Sequence, residues 1–391
     1  MRVCLVTYEY PPRAGGEGTY TRSLAVELSR QGHEVTVVAP ATGPVRGDEG
    51  VRLMTVEEGR WPLREARFLA GAELAIDRLV DDTKVDLIHV TFDFPTFLLH
   101  VRHKGVPCVS TVHHLQVAEA ISRLPYTSLW SRIPLLLRGS VLSGLEGRIL
   151  EQCDRVIAVS EFTAATLRQY LSVDPRSVTV VRNGVDPARF EGGDGDEFRG
   201  AFPRVGEKCV LYLGRIHPSK GLEVLIDAFS EVHRVNPDAS LAIVGTGDAS
   251  YMQQLASRTA SRGIANSVIF TGKISDDLLP HAYAASTLTA LPSFIEGFGL
   301  SVLESFASGR PCVATRMGAL PELVTDGANG LLVEAGDSRG LGAAMERLLS
   351  DPRLASSLGE NGRDLVEREL NVETMAKKTS EVYENLVRAE A

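Results

Sequence analysis

Short apolar, β-branched runs alternate with longer amphipathic runs along most of the chain, and this alternation constrains the fold more than any other feature. Each short run is continuously apolar, which is typical of parallel strands covered by helices on both faces of a sheet. Amphipathic stretches such as 19–31 and 65–80 separate them. In the first half, the pattern predicts strands at 2–7, 34–39, 85–90, 107–112, 155–159 and 177–181. The sequence therefore predicts a doubly wound α/β domain there.

The alternation is interrupted once, by a segment rich in Gly, Asp and Glu that we interpret as a linker at 191–208. It then restarts, with strands predicted at 210–213, 241–244, 268–271, 288–291 and 311–314. We therefore expect two Rossmann-like domains, 1–190 and 209–371, followed by a terminal helix at 372–391. Ligands of open α/β sheets bind at the carboxyl ends of the strands. We accordingly expect those two edges to face each other across a cleft.

Composition narrows the class of protein. A length of 391 residues is enough for two hydrophobic cores, and 44% hydrophobic with 23% charged residues is typical of globular proteins. The net charge of −9 argues against non-specific nucleic-acid binding. No apolar run reaches about eighteen residues, the length that a transmembrane helix requires, and Glu9 interrupts the N-terminal apolar run before a signal peptide could form. We therefore expect a cytoplasmic protein.

The cysteines agree with a reducing compartment. There are five of them, scattered along the chain without a CxxC spacing, and each begins or lies in a β-rich run. This distribution favours buried free thiols over a disulfide or a metal site.

The most informative segment is 294–304, FIEGFGLSVLE, which lies between an apolar strand and a helical pattern. Gly297 and Gly299 allow a tight turn, and the amides at the start of the following helix form an anion site. We expect Glu296 in the loop and Glu304 about one turn inside the helix. The segment thus offers a phosphate cradle flanked by two carboxylates, one of them suited to a sugar diol. The alternative is a helix-capping acid followed by a solvated helix carboxylate.

A basic loop opens the second domain. Arg215 and Lys220 follow a buried strand and are five residues apart, a pairing that suits a diphosphate because Arg binds bidentately and Lys adds a point charge. The alternative is a solvated basic turn. The loops at 244–248 and 270–274 also end strands in this domain and are predicted to hold a base.

Two loops of the first domain end strands in the same way. Gly15 and Gly16 lie between the first strand and a helix, where amides can approach a phosphate or a sugar; an ordinary tight turn is the alternative. His113 and His114 end another strand. Because no third ligand has a recognisable spacing, we interpret His113 as a residue that hydrogen-bonds substrate rather than a metal ligand; a histidine with a purely structural hydrogen bond is the alternative.

The segment 124–150 mixes apolar residues with three arginines, and a fourth, Arg123, directly precedes it. Two interpretations are open: an amphipathic surface that rests on anionic lipid at the inner membrane surface, or a buried helix whose arginines face water. The second is favoured.

Taken together, these motifs resemble the GT-B-fold retaining glycosyltransferases of family 4. The resemblance covers essentially the whole chain, in order, and rests on YPP…GG at 10–16, GHEV at 32–35, VSE at 159–161, NGVD at 183–186, GR…KG at 214–221 and EGFG…E at 296–304. The last two are its most specific parts. One position departs from the pattern: His114 stands where many relatives carry Asp.

The resemblance implies a role for each matching residue. Arg215 and Lys220 would neutralise the diphosphate, Glu304 would bind the ribose hydroxyls, and Glu296 would hold the donor sugar. The remaining contacts implied are the amides of Phe298, Gly299 and Leu300 to sugar and phosphate, Gly15 and Gly16 to the diphosphate, His113 to the transferred sugar, and the loops at Gly245 and Lys273–Ile274 to the base. No metal and no cofactor would be needed, and the terminal helix at 372–391 would pack back on the first domain.

The resemblance also implies the reaction, a metal-independent transfer of a hexose from a nucleotide-diphosphate sugar to an acceptor hydroxyl with retention of configuration. We take a UDP-sugar as the first donor and GDP-mannose as the second. The acceptor, a small molecule, lipid or glycan, and the oligomeric state are left open. Two alternatives are an NDP-sugar 2-epimerase of the same fold and a two-domain sugar-binding protein without chemistry.

Overall fold

A computed structural model describes residues 1–11, 15–41, 48, 50–57, 64–91, 105–115, 146–148, 150–171 and 173–390. These form two compact units, Met1–Gly184 with Val372–Ala391 and Val185–Asn371. Most of the segment with the two open interpretations, 124–145 and 149, lies outside the described residues. Within the described ranges, none of the helices combines the length and apolarity that crossing a bilayer requires.

Unit 1 is built on a seven-stranded parallel sheet of order β3-β2-β1-β4-β5-β6-β7. The strands are β1 Arg2–Val6, β2 Glu34–Pro40, β3 Val51–Val56, β4 Leu87–Val90, β5 Cys108–Val112, β6 Arg155–Ala158 and β7 Val178–Val180, and its described helices before the crossover to unit 2 are α1 Gly16–Arg30, α2 Arg64–Thr83 and α3 Glu161–Tyr170. The central strands β4 and β5 are buried throughout, as expected for a sheet covered on both faces.

Unit 2 repeats this plan with a six-stranded parallel sheet of order β10-β9-β8-β11-β12-β13. Its strands are β8 Cys209–Leu213, β9 Ser240–Val244, β10 Val268–Gly272, β11 Leu288–Leu291, β12 Cys312–Thr315 and β13 Gly330–Val333. Its helices are α4 Gly195–Ala201, α5 Leu222–Val235, α6 Ala249–Ser261, α7 Leu279–Ala285, α8 Leu300–Ala307, α9 Leu320–Leu323, α10 Ser338–Ser350 and α11 Pro352–Arg368. Side chains of α5, α6 and α10 share one core with the sheet, whereas α8 lies on the other face, where Thr289 bonds to Ser305.

The last helix, α12 Val372–Glu390, belongs to unit 1. Met375 and Tyr383 are buried in the same core as Val3 and Leu5 of the central strand β1 and Leu24 of α1. Helix α2 packs on the opposite face of the sheet, so unit 1 is covered on both sides. The chain therefore returns to its first unit after completing the second.

All five cysteines are buried and free. Two of them, Cys108 and Cys153, lie with their sulfur atoms 3.8 Å apart in the interior of unit 1. Burial raises the pKa of the thiols of Cys4 and Cys312 to about 12, which keeps both thiols protonated and unreactive at neutral pH.

The structure differs from the sequence prediction in three places. Residues 191–208 are not a linker, because they contain α4, whose Phe198 is fully buried, and they belong to unit 2, which begins at Val185. Strands β3 and β13 were not predicted from the sequence. Both lie at sheet edges and carry half-exposed positions, so neither has the continuously buried pattern on which the strand predictions relied.

Candidate active site

The candidate site of unit 2 lies where its strand order reverses. Strands β8 and β11 are hydrogen-bonded neighbours at the centre of the sheet, and the chain leaves them in opposite directions. The loop after β8 carries Arg215 and Lys220, and the loop after β11 carries Glu296. Such a topological switch point is where open α/β sheets bind their ligands. Strand order thus brings together two motifs that lie far apart in the chain.

Lys220 and Glu296 are paired directly. The Lys220 ammonium donates to Glu296 Oε2 at 2.8 Å, and the two side chains are 18% and 17% exposed. Two backbone features hold the loops together: the Phe294 amide donates to the Ser219 carbonyl at 2.8 Å, and Gly221 has a φ of 68°. A Cβ at Gly221 would lie 2.1 Å from the carbonyl oxygen of Pro292. Only glycine lets the two strand ends approach this closely.

The backbone of Glu296 is held from the opposite side by the loop after β12. The Ala319 amide donates to the Glu296 carbonyl at 2.9 Å, and a Cβ at Gly318, whose φ is 58°, would lie 2.1 Å from the same oxygen. The hydroxyl of Ser293 donates to Glu296 Oε2 at 3.3 Å, while the Ser293 carbonyl accepts from the Thr315 hydroxyl at 2.5 Å. Glu296 is therefore held through both its backbone and its carboxylate.

Helix α8 begins directly after this acid. Gly299 precedes it with a φ of 104°, in the left-handed region that favours glycine, and Phe298 beside it is buried. The amides of Phe298, Gly299 and Leu300 donate to no other group within the part of the chain that the structure describes. Amides without an intramolecular acceptor at a helix start and the helix dipole together suit a phosphate.

Glu304 lies one turn into α8 and is buried. Burial raises the pKa of its carboxyl, while a hydrogen bond from Tyr283 and the charge of Arg189 act in the opposite direction. The Tyr283 hydroxyl donates to Glu304 Oε2 at 2.7 Å. Glu304 is therefore not the solvated helix carboxylate of the alternative interpretation. Tyr283 was not predicted from the sequence, and no local pattern could have revealed it, because it lies on α7, 21 residues away from Glu304.

Arg215 is exposed in the loop after β8, where its carbonyl accepts a hydrogen bond of 2.8 Å from the hydroxyl of buried Tyr212. Its guanidinium makes no ion pair with any described residue of unit 2. An exposed guanidinium without such a partner keeps its donors for a ligand.

The ends of β8, β9 and β10 approach one another through glycines. A Cβ at Gly245, whose φ is 142°, would lie 1.9 Å from the Gly214 carbonyl oxygen, and the Gly245 amide donates to the Gly272 carbonyl at 3.0 Å. Lys273, which is exposed, and Ile274, which is half-buried, follow directly. The loops assigned to the base are thus close neighbours at one sheet edge.

In unit 1, Gly15 and Gly16 are exposed at the start of α1. The Gly15 amide donates to the carboxylate of Glu9 at 2.8 Å, and Glu9 also packs beneath Gly18. The acid occupies the position at which the first amide of the loop would meet an anion.

His113 ends β5 and is half-buried. Its ring contacts the edge of the Tyr20 ring at 4.6 Å between centroids. A buried polar chain continues from Tyr20 to the Thr111 hydroxyl at 3.2 Å, from Thr111 to His89 at 2.7 Å, and from His89 to the Tyr383 hydroxyl of α12 at 2.5 Å. Burial, with a smaller effect of His113, lowers the pKa of His89 to about 3. His89 is therefore a neutral imidazole at pH 7.

The predicted site residues thus form two groups. Those of unit 2 gather at the carboxyl ends of its strands, and Lys220, Glu296 and the start of α8 lie close together. Those of unit 1 lie in segments that follow strands: Gly15 and Gly16 at the start of α1, in the connection from β1, and His113 directly after β5. Like Tyr283, three residues that hold Glu296 were not predicted from the sequence: Ser293, Gly318 and Ala319.

Comparison with known proteins identifies the family of the chain. The profile of "Glycosyltransferase Family 4" matches residues 14–189, and that of "Glycosyl transferases group 1" matches residues 195–365. The chain is 31% identical to the GDP-mannose-dependent alpha-(1-6)-phosphatidylinositol monomannoside mannosyltransferase of Mycolicibacterium smegmatis over 92% of each chain.

Two solved structures share the fold over almost the full length. Sucrose-phosphate synthase from Thermosynechococcus elongatus superposes with a TM-score of 0.83 at 25% identity, covering 100% of both chains. The Anabaena protein HepE in complex with UDP and glucose superposes with a TM-score of 0.78 at 20% identity, covering 99% of this chain and 100% of that one. Both similarities extend over the two units described above. The chain is therefore a member of the family 4 glycosyltransferases with the two-domain GT-B fold, enzymes that transfer sugars from nucleotide-sugar donors.

Proposed function

We propose that this enzyme transfers a hexose from a nucleotide-diphosphate sugar to an acceptor hydroxyl, without a metal ion and with retention of the anomeric configuration. The observation that carries the proposal is the Lys220–Glu296 pair at the start of α8. It sets a cation for the departing diphosphate beside an acid that can hold the sugar hydroxyls, and the free helix amides lie next to both.

In the proposed reaction the anomeric C–O bond breaks and its electron pair passes to the diphosphate. The acceptor oxygen forms the new C–O bond on the same face of the sugar, and its proton passes to a leaving phosphate oxygen. The products are the glycoside and the nucleoside diphosphate. Arg215, Lys220 and the amides of Phe298, Gly299 and Leu300 stabilise the charge that develops on the diphosphate. The other residues of unit 2 bind the donor: Glu296 the sugar, Glu304 the ribose, and Gly245, Lys273 and Ile274 the base.

In unit 1 we assign Gly15 and Gly16 to the diphosphate and His113 to the transferred sugar, as the family resemblance implies; for Gly15 this requires the diphosphate to displace the Glu9 carboxylate from the amide. His113 is suited to bind a sugar hydroxyl because its ring is fixed by Tyr20. The reaction requires no cofactor, because Arg215 and Lys220 supply the positive charge that a divalent ion would otherwise bring.

A UDP-hexose is the first donor proposed, supported by the UDP and glucose in the complex of the structurally similar HepE. GDP-mannose is the second, supported by the mannosyltransferase that shares 31% of its sequence with this chain. The proposed place of action is the cytoplasm, because five buried free thiols fit a reducing compartment.

The test uses the whole chain with a panel of UDP-hexoses and GDP-mannose, and with inositol, lipid and oligosaccharide acceptors. We expect one donor to be consumed, its rate to be unchanged by EDTA, and NMR of the product to show the donor's anomeric configuration. Arg215→Ala and Lys220→Ala are each expected to lose most turnover. The matched control is Lys208→Ala, which removes an exposed lysine paired with Asp238 in the same unit.

Three results would contradict the proposal. Near-normal turnover in both the Arg215 and Lys220 variants would contradict the proposal that these residues bind the diphosphate. A product with inverted anomeric configuration would contradict the proposed retention. Conversion of the nucleotide sugar to an isomer in the absence of acceptor would instead identify a 2-epimerase.

A further inference from the structure

We infer that Tyr283 is a positioning residue that orients the Glu304 carboxylate toward the donor ribose, and so makes the site select ribonucleotides. This inference rests on the proposed function, in which Glu304 binds the ribose hydroxyls. It concerns a residue on a different helix, α7, which has no part in the sequence motifs of the site.

Among the described side chains, the Glu304 carboxylate has a hydrogen-bond donor at one of its two oxygens. The Tyr283 hydroxyl donates to Glu304 Oε2 at 2.7 Å, and no other side chain that the structure describes donates to this carboxylate. An ionised carboxylate accepts hydrogen bonds on both oxygens. Oε1 is therefore left to accept from a ribose hydroxyl, and the bond at Oε2 prevents the group from rotating away.

Tyr283 is itself held in place. Its side chain is fully buried, and the edge of its ring meets the Phe190 ring at 5.8 Å between centroids, with 77° between the ring planes. Phe190 ends the 3-10 helix Pro187–Phe190, which also carries Arg189. Because the Tyr283 ring is fixed, its hydroxyl restricts the orientation of the Glu304 carboxylate more than a mobile water molecule would.

The same neighbours favour the ionised state that ribose binding requires. Burial raises the pKa of Glu304, whereas the Tyr283 hydrogen bond and the Arg189 charge lower it. A protonated carboxyl would carry a hydrogen where a ribose hydroxyl has to donate. Tyr283 thus acts on both the orientation and the charge of Glu304.

The experiment measures equilibrium binding by calorimetry for the full-length chain. The probes are UDP against 2′,3′-dideoxy-UDP, and GDP against its dideoxy counterpart. For Tyr283→Phe we expect the affinity for the ribonucleotide to fall about tenfold, the typical effect of one hydrogen bond to a charged group. The affinity for the dideoxynucleotide should be almost unchanged, because that ligand has no ribose hydroxyl that could donate a hydrogen bond to Glu304. A merely structural role would weaken both ligands equally.

Two further variants keep the test decisive. Phe190→Leu leaves the hydroxyl but frees the Tyr283 ring, so we expect a smaller loss that is again confined to the ribonucleotide. Tyr251→Phe removes a hydroxyl from another buried tyrosine of unit 2 and should change neither affinity.

The outcomes separate the inference from the function on which it rests. Equal losses for ribo- and dideoxynucleotides in Tyr283→Phe, or no loss for either, would overturn the positioning role while leaving the proposed function intact. Failure of the unsubstituted chain to bind either nucleoside diphosphate would overturn the proposed function, and this inference with it.

Discussion

The ammonium of Lys220 lies 2.8 Å from Glu296 Oε2, although the two residues are 76 positions apart in the chain. They meet because their loops follow adjacent strands, β8 and β11. The pair is mostly removed from solvent, so each side chain holds the other in position and compensates its charge. In the proposed reaction a donor binds across this pair, with its phosphates toward Lys220 and its sugar toward Glu296.

If Lys220 and Glu296 act as one unit, the effects of substituting each of them on kcat/KM will not be additive. Lys220→Ala and Glu296→Gln are each expected to lower kcat/KM by about 10²–10³-fold, the usual loss on removing one preorganised partner of a transition state. The double variant should lose much less than the product of the two factors, with an interaction energy of about 0.5–3 kcal/mol. Steady-state kinetics of the unsubstituted enzyme, the two single variants and the double variant gives the interaction energy. Strict additivity would show that the observed contact has no bearing on turnover.

Gly318 is expected to affect turnover because the backbone of Glu296 lies against its α-carbon. A Cβ there would lie 2.1 Å from the Glu296 carbonyl oxygen, so Gly318→Ala has to displace the acid. A shift of about 1 Å can cost about 10²-fold in rate, and we expect a loss of that order in kcat. The matched control is Gly327→Ala, whose φ of 76° is equally left-handed but whose Cβ would meet nothing within 4 Å. Its expected cost is about 1 kcal/mol of stability and no loss of kcat, and equal losses in the two variants would contradict the steric explanation.

Glu304 should make the enzyme less stable at high pH than it would be without this carboxylate. Burial is the main cause that raises its pKa, Asp276 adds to the shift, and Tyr283 and Arg189 oppose it. Because the folded-state pKa is raised, the stability contributed by the protonated form is complete below about 4.5 and is lost as the pH rises through the folded-state pKa.

Glu304→Gln is therefore expected to melt a few degrees above the unsubstituted protein at pH 8, with little difference at pH 4. The amide oxygen still accepts from Tyr283, while nucleoside diphosphate binding weakens. Thermal melts without ligand at the two pH values provide the measurement, and exposed Glu346→Gln on α10 serves as the control. A melting temperature that falls in Glu304→Gln at pH 8 would show that the buried charge is stabilising.

Tyr383 is expected to support unit 1 from the C-terminal helix. Tyr383→Phe leaves a buried nitrogen of His89 without its partner, which costs about 1–3 kcal/mol. The comparison is Tyr10→Phe, whose hydroxyl bonds at 2.8 Å to Asp48 in a partly exposed contact and which should cost less because water can replace the lost partner. Urea unfolding of both variants gives their free energies of unfolding. A smaller loss in Tyr383→Phe than in Tyr10→Phe would show that the hydrogen bond between Tyr383 and His89 does not stabilise unit 1 as expected.

Much of the site could be predicted from local patterns. Ligand loops in α/β proteins follow the carboxyl ends of strands. Continuously apolar runs precede each of the segments concerned here: the basic residues at 215 and 220, and the glycines around Phe298 with the acids at 296 and 304. The bounds of β1, β2 and β8 were likewise predictable to within a residue or two, because buried central strands have a strong signal. The roles assigned to the site residues stay predictions until the variants above are measured.

The sequence by itself determined the fold class, the two alternating halves and the loops that carry the chemistry, because these depend on side-chain periodicity and on glycine at turns. Only the tertiary structure decided which side chains meet. Strand order placed Lys220 against Glu296, helix packing placed Tyr283 against Glu304, and the loop after β12 placed Gly318 against the Glu296 backbone. Each of these contacts joins segments distant in sequence. Their geometry follows from how strands and helices pack around a shared core, which no local pattern encodes.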